Sequence, residues 1–175
     1  MNLTIHQLSP NEYPAYYQTY FQEIETSYTL VEELEISMNN LVHFVQNVPL
    51  EKIDYQYAEG KWTLKEIILH IIDCERVFGY RAMRIARRDA TPLPGFDENA
   101  YVPNSYANNR TLKSLLEEFL AVRQATISLF KSFQAEQLTL TGTASGYTVS
   151  VRAIGFVCLA HQAHHLNIYQ KRYLN

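Results

Sequence analysis

Four long stretches of this chain repeat their apolar residues every three or four positions, and no stretch alternates them convincingly in the manner of a strand. That spacing lays the apolar residues along one face of a helix. The first stretch runs from about Tyr28 to Asn47, with Leu30, Leu34, Met38, Leu41 and Val45 on its face and Pro49 to stop it. The second is placed at about 64 to 88. Its stripe is Leu64, Ile67, Ile71, Cys74, Phe78, Ala82 and Ile85, and Thr63 with Glu66 three residues on form a capping box. The third runs from about Leu112 to Phe133, capped by Thr111, with Leu112, Leu116, Phe119, Ile127 and Phe130 as its stripe. The fourth runs from about Val151 to Tyr173 with Ser150 as cap. A short helix with Asn11 as cap and Pro14 in its first turn is expected ahead of them, and Thr139 to Thr148 reads as a connection. The pattern predicts an all-α fold, a four-helix bundle occupying residues 1–175 as a single domain.

Between the second and third helices, Arg88 to Arg110 has no periodicity of its own and holds Pro92, Pro94, Gly95 and Pro103. So long a stretch in a compact domain often forms a binding loop or lid. A plain crossover connection between bundle helices is the other reading, and the two are compatible.

Bulk properties exclude several classes of function. A formal net charge of −3 offers no basic footprint for nucleic acid. No apolar run reaches the length of a membrane span, and Met1 to Pro10 lacks the basic and apolar regions of a signal peptide. A cytoplasmic protein is expected. Two cysteines, Cys74 and Cys158, do not make a disulfide framework.

The fourth helix departs from the rule that a core seam is apolar. Its seam reads Val151, Ile154, Cys158, His161, His165, Ile168 and Arg172. At i and i+4 the two imidazoles project from the same face. Burying their nitrogen lone pairs without partners costs about 1–3 kcal/mol each, and a divalent metal would remove that cost. His70 lies beside the inward stripe of the second helix and is the third candidate. Three histidines leave a coordination position open, as a reactive site requires. The competing reading is three hydrogen-bonded core histidines. The zinc protease signature HExxH is missing. His164 is read as a flanking polar residue, with a proton shuttle or a group supporting the ligands as alternatives. Asp73 either orients a ligand imidazole or pairs with Arg76, Arg81 or Arg123. Arg123 falls near an inward stripe and needs a carboxylate partner. Cys74 and Cys158 are read as small apolar residues rather than ligands.

Several stretches together resemble the DinB/YfiT superfamily of metal-dependent enzymes, its DinB-like subgroup in particular. They are Gly60-Lys-Trp-Thr-Leu-Lys-Glu66, His70-Ile-Ile-Asp-Cys-Glu75 through Arg81, Arg84 to Asp89, Pro92-Leu-Pro-Gly-Phe-Asp97, Val151-Arg-Ala153 and His161-Gln-Ala-His-His165. The resemblance implies an up-down-down-up four-helix bundle with a long crossover between helices 2 and 3. It implies a metal triad at His70, His161 and His165, holding nickel, zinc, manganese or iron, and a homodimer. The superfamily's name reflects damage-inducible expression and says nothing of DNA binding.

The residues and the resemblance together leave three functions open, the first of them implied by the resemblance. In the first, a low-molecular-weight thiol such as bacillithiol or glutathione is transferred to a small electrophile, with the crossover supplying contacts through Asp97, Glu98 or Tyr101. In the second, the metal activates water for hydrolysis. In the third, the histidines serve stability or sensing in a non-catalytic dimer.

Overall fold

The computed structural model describes residues 3–24 and 27–174. Its four long helices are α2 (Leu30–Gln46), α3 (Leu64–Ala86), α5 (Leu112–Ser132) and α7 (Val151–Tyr173). The shorter elements are α1 (Tyr17–Phe21), α4 (Glu98–Asn104), α6 (Ala135–Leu138), β1 (Thr141–Ala144) and β2 (Tyr147–Ser150). The caps expected from the sequence are in place. The Thr63 hydroxyl accepts from the Glu66 amide while the Glu66 carboxylate accepts from the Thr63 amide. Thr111 and Ser150 accept from the amides of Ser114 and Ala153. Among the described residues no helix is long and apolar enough to cross a membrane.

Cross-helix contacts fix the helix directions. Tyr173, at the end of α7, donates to the Trp62 carbonyl just ahead of α3, whereas Phe78 further along α3 meets His161 earlier in α7. These two helices therefore run antiparallel. Asn108, ahead of α5, bonds Thr63 and Glu66 at the start of α3, and Gln137, beyond α5, donates to the Ala86 carbonyl at its end. Those two run parallel. Lys131 near the end of α5 pairs with Glu35 near the start of α2, while Arg123 earlier in α5 reaches Ser37 further along α2. Gly155, Gln162 and Tyr169 of α7 meet Leu30, Ser37 and Phe44 of α2 in the same order. The bundle is thus up-down-down-up, with the crossover between α3 and α5.

Two apolar clusters fill the interior. One gathers Leu34, Phe78, Ile127 and Phe156, the other Leu41, Ile68, Phe119 and Tyr169. Between them lies a polar layer to which each long helix contributes one side chain: Ser37, Glu75, Arg123 and Gln162. The Arg123 guanidinium donates twice to the Glu75 carboxylate, both at 2.8 Å, and also to Ser37 and Gln162. Arg123 thereby has the carboxylate partner its position demanded, and the partner is Glu75.

The structure corrects several local expectations. The stripe of α5 is centred on Leu115, Phe119, Arg123, Ile127 and Phe130, leaving Leu112 and Leu116 half-buried, because polar Arg123 and Thr126 face inward. The seam of α7 continues from His165 into Tyr169 and Tyr173, while Ile168 is half-buried and Arg172 exposed. Asn11 lies inside a 3-10 turn capped at Ser9, and Pro14 precedes α1. The crossover contains α4, whose N-terminus Asp97 caps by accepting from the Asn99 and Ala100 amides. The segment from Thr139 to Thr148 is mostly a hairpin. Ser145 (φ 52°) and Gly146 (φ 82°) form its two-residue turn, both in the left-handed region such hairpins favour. Leu93 pairs with Ala144, so the crossover is laid against the hairpin edge.

Candidate metal centre

The antiparallel packing of α3 and α7 brings His70 against His161 and His165, which stand one turn apart on α7. Their three Nε2 atoms form a nearly equilateral triangle. His70 to His161 is 3.0 Å, His70 to His165 is 3.1 Å, and His161 to His165 is 3.2 Å. His70 and His161 are buried and His165 is half-buried. Burial holds the pKa of His70 down to about 4 and that of His165 to about 3, and pushes His161 well below the ordinary histidine value. Mutual repulsion adds to the depression at His161 and His165. All three rings are therefore neutral near pH 7.

Three neutral rings so arranged make a poor hydrogen-bonded cluster. An Nε2–H points along one line and cannot serve two neighbours at once, and an Nε2 lone pair facing another is repulsive. The same arrangement suits a cation. Nitrogen ligands about 2.0–2.1 Å from a tetrahedral zinc-like ion lie about 3.3–3.4 Å from one another, close to the spacing found here. Among the described residues this is the one cluster of histidine, cysteine or acidic groups with metal-ligand spacing.

Neighbouring aromatic rings hold the imidazoles in place. Trp62 packs on His70 at 4.8 Å and stacks on His165 at 6.2 Å, and Phe78 sets its edge against His161 at 5.7 Å. Cys74, one turn beyond His70, places its sulfur 3.6 Å from His70 Nδ1, and burial raises its thiol pKa to about 12. It is a neutral neighbour and sits outside the metal-spaced cluster. The triad opens on a cavity of about 400 Å³ walled by Tyr16, Tyr17, Tyr20, Trp62, Phe78 and Phe96. Its polar lining includes Arg81, Glu98, Asn99 and Ser145. A larger groove of about 520 Å³, between α2 and α7, contains none of the three histidines.

The other candidates fall as follows. Glu98 lines the cavity; Asp97 is occupied as the cap of α4, and Tyr101 stands exposed against Phe96. Asp73 pairs with Arg76 at 3.4 Å. Cys158 is buried in the apolar cluster. His164 points away from the triad, stacked on Tyr20 at 4.0 Å with Nδ1 3.5 Å from Glu23. Sequence reasoning missed Arg81, Trp62 and the tyrosines of α1 as parts of the site. Arg81 carried a signal: it continues His70, Cys74 and Phe78 at helical spacing, so a guanidinium occupies a face otherwise turned inward.

The sequence profile of the DinB superfamily matches residues 33–168, which include all three histidines. The chain belongs to the DinB superfamily. Two bacterial relatives carry the name "putative metal-dependent hydrolase". That of Oceanobacillus iheyensis is 25% identical over 148 residues, covering 82% of this chain and 83% of its own. That of Bacillus cereus is 25% identical over 142 residues, covering 78% and 79%. Among solved structures, YfiT from Bacillus subtilis superposes with a TM-score of 0.70 at 14% identity, covering 95% of this chain and 94% of that one. It is described as "a probable metal-dependent hydrolase with an unusual four-helix bundle topology". This DinB-superfamily chain shares that bundle.

Proposed function

We propose that the protein is a metal-dependent hydrolase whose ion is held by His70, His161 and His165. The observation that carries the reading is the triangle of neutral Nε2 atoms at the floor of an aromatic-walled cavity. A divalent ion in such a site lowers the pKa of coordinated water and polarises a substrate carbonyl. The chain's own residues supply the rest. Burial keeps the three imidazoles unprotonated, so no proton need leave before they ligate. Trp62 and Phe78 pack on His70 and His161 and fix the ring orientations. Glu98, the one carboxylate among the residues lining the cavity, is assigned to take a proton from the attacking water and return it to the leaving group.

The relatives named as hydrolases support this reading over thiol transfer. The test uses protein purified without a histidine tag. Elemental analysis is followed by p-nitrophenyl ester and amide hydrolysis after loading with zinc, nickel, manganese or iron, without added thiol. Turnover abolished by chelator, restored by one metal and lost in His165→Ala supports the proposal. Failure of every metal to bind, or hydrolysis indifferent to chelator, overturns it.

A further inference from the structure

The cavity holds a cation with no acidic partner. Arg81 is only 7% exposed, yet no carboxylate among the described residues pairs with it. Its Nη2 donates at 2.8 Å to the Pro94 carbonyl and at 2.8 Å to the Ser145 hydroxyl, both neutral acceptors. Its guanidinium carbon lies 5.7 Å from the Phe96 ring centre. Among the described residues, Nε and Nη1 have no hydrogen-bond acceptor. Arg123, the other deeply buried arginine, is matched by Glu75. A buried charge without a counter-charge is costly, and burial here pulls the arginine pKa below its ordinary value. The cost is explained if the counter-charge arrives with the ligand.

We propose that Arg81 is the anchor for a carboxylate on the substrate, which is a small carboxylic acid with an apolar or aromatic body. The inference rests on the cavity being the substrate site, and it names the substrate class. Both two-pronged edges of the guanidinium include Nη2, which Pro94 and Ser145 occupy, so Nε–H and Nη1–H remain as separate charged donors, each able to take one carboxylate oxygen. A phosphate monoester fits less well, because Glu98 shares the cavity and opposes a second negative charge. The aromatic walls take the apolar body. Arg81 also ties the crossover at Pro94 to the hairpin at Ser145, so ligand binding and closure of that side of the cavity involve one side chain.

The test exploits Trp62, the single tryptophan of the chain, which lines the cavity. Its fluorescence is titrated in the full-length protein with phenylacetate, phenylacetamide and phenyl phosphate. The titrations are run with zinc and again after chelation, since an ion would itself attract a carboxylate. The expected result is that phenylacetate binds about tenfold or more tightly than phenylacetamide in both conditions. Phenyl phosphate should be weaker than phenylacetate. Arg81→Met should remove the preference for phenylacetate while zinc affinity stays within about threefold, because Arg81 is no part of the triad. Arg81→Lys, a milder change, should keep a reduced preference. Equal binding of phenylacetate and phenylacetamide by the chelated wild type overturns the inference with no variant needed. So does stronger binding of phenyl phosphate, or an Arg81→Met protein that still discriminates. Because the chelated arm needs no metal, its failure is distinct from failure of the metal-dependent reading.

Discussion

Replacing Glu75 by Gln should be among the most damaging single substitutions in this bundle. The side chains of Glu75 and Arg123 are 2% and 0% exposed, and the two are joined by parallel hydrogen bonds of 2.8 Å. Gln keeps the shape and one acceptor but leaves the Arg123 guanidinium as a buried charge with neutral partners alone: that amide, Ser37, Gln162 and the Leu34 carbonyl. Breaking a buried pair on one side costs about 3–5 kcal/mol, against about 0–1 kcal/mol for an exposed pair. For a chain of this size that loss lowers Tm by about 6–20 °C. Arg123→Met alone strands the carboxylate and should be costly too. The double variant Glu75→Gln/Arg123→Met removes both charges, so its loss should be well below the sum of the two, with coupling of about 2 kcal/mol or more. Urea unfolding of the metal-free protein at pH 7, with the slope checked for two-state behaviour, measures all three. A loss under about 1 kcal/mol for Glu75→Gln, or additive single and double variants, would show that the pair behaves like a surface one and refute the reasoning.

Further outcomes follow from the same geometry. Because His70 and His165 have folded pKa values of about 4 and 3, the unfolded chain binds more protons in acid. Metal-free stability should hold above about pH 6.5 and fall toward pH 4, losing about 2 kcal/mol per histidine by pH 5, as read by urea midpoints; a flat profile contradicts it. His161→Ala should weaken zinc binding by about 100-fold or more in a competition titration with a chromogenic chelator, more than loss of a group behind a ligand usually costs. A Cβ on Gly155 would sit 2.6 Å from Leu30 and 2.8 Å from Phe130, so Gly155→Ala should cost about 1–3 kcal/mol by thermal unfolding, and a neutral result would mean α2 shifts freely.

The helices were readable because their stripes are long and their caps are chemically distinct, as at Thr63 with Glu66. His161 and His165 were readable for the opposite reason, since they violate an apolar seam. What periodicity could not supply is which helices face each other, and the convergence of His70 with α7 came from the family resemblance. The hairpin was hidden because its strands are four residues each and rich in Gly, Thr and Ser; Ser145-Gly146 between Thr-containing flanks was its one signal. Within the crossover, α4 was masked by Pro103 inside it and Pro94 ahead of it.

The least legible feature is the polar layer, and it bears most directly on the site. Ser37, Glu75, Arg123 and Gln162 come one from each long helix; Arg123 alone stood out in the sequence, as an inward charge in need of a carboxylate, while the other three read as ordinary interruptions of a stripe. Together they admit one axial register, because sliding any helix by a turn would strand a buried charge or amide against apolar neighbours. Glu75 is five residues beyond His70, and Gln162 adjoins His161. The layer therefore fixes the offset between α3 and α7 on which the Nε2 triangle depends. Measuring zinc affinity in the refolded Glu75→Gln/Arg123→Met protein separates the two roles. If the layer sets the register, affinity should fall by about tenfold or more even where stability is largely restored; an unchanged affinity would assign the register to apolar packing alone.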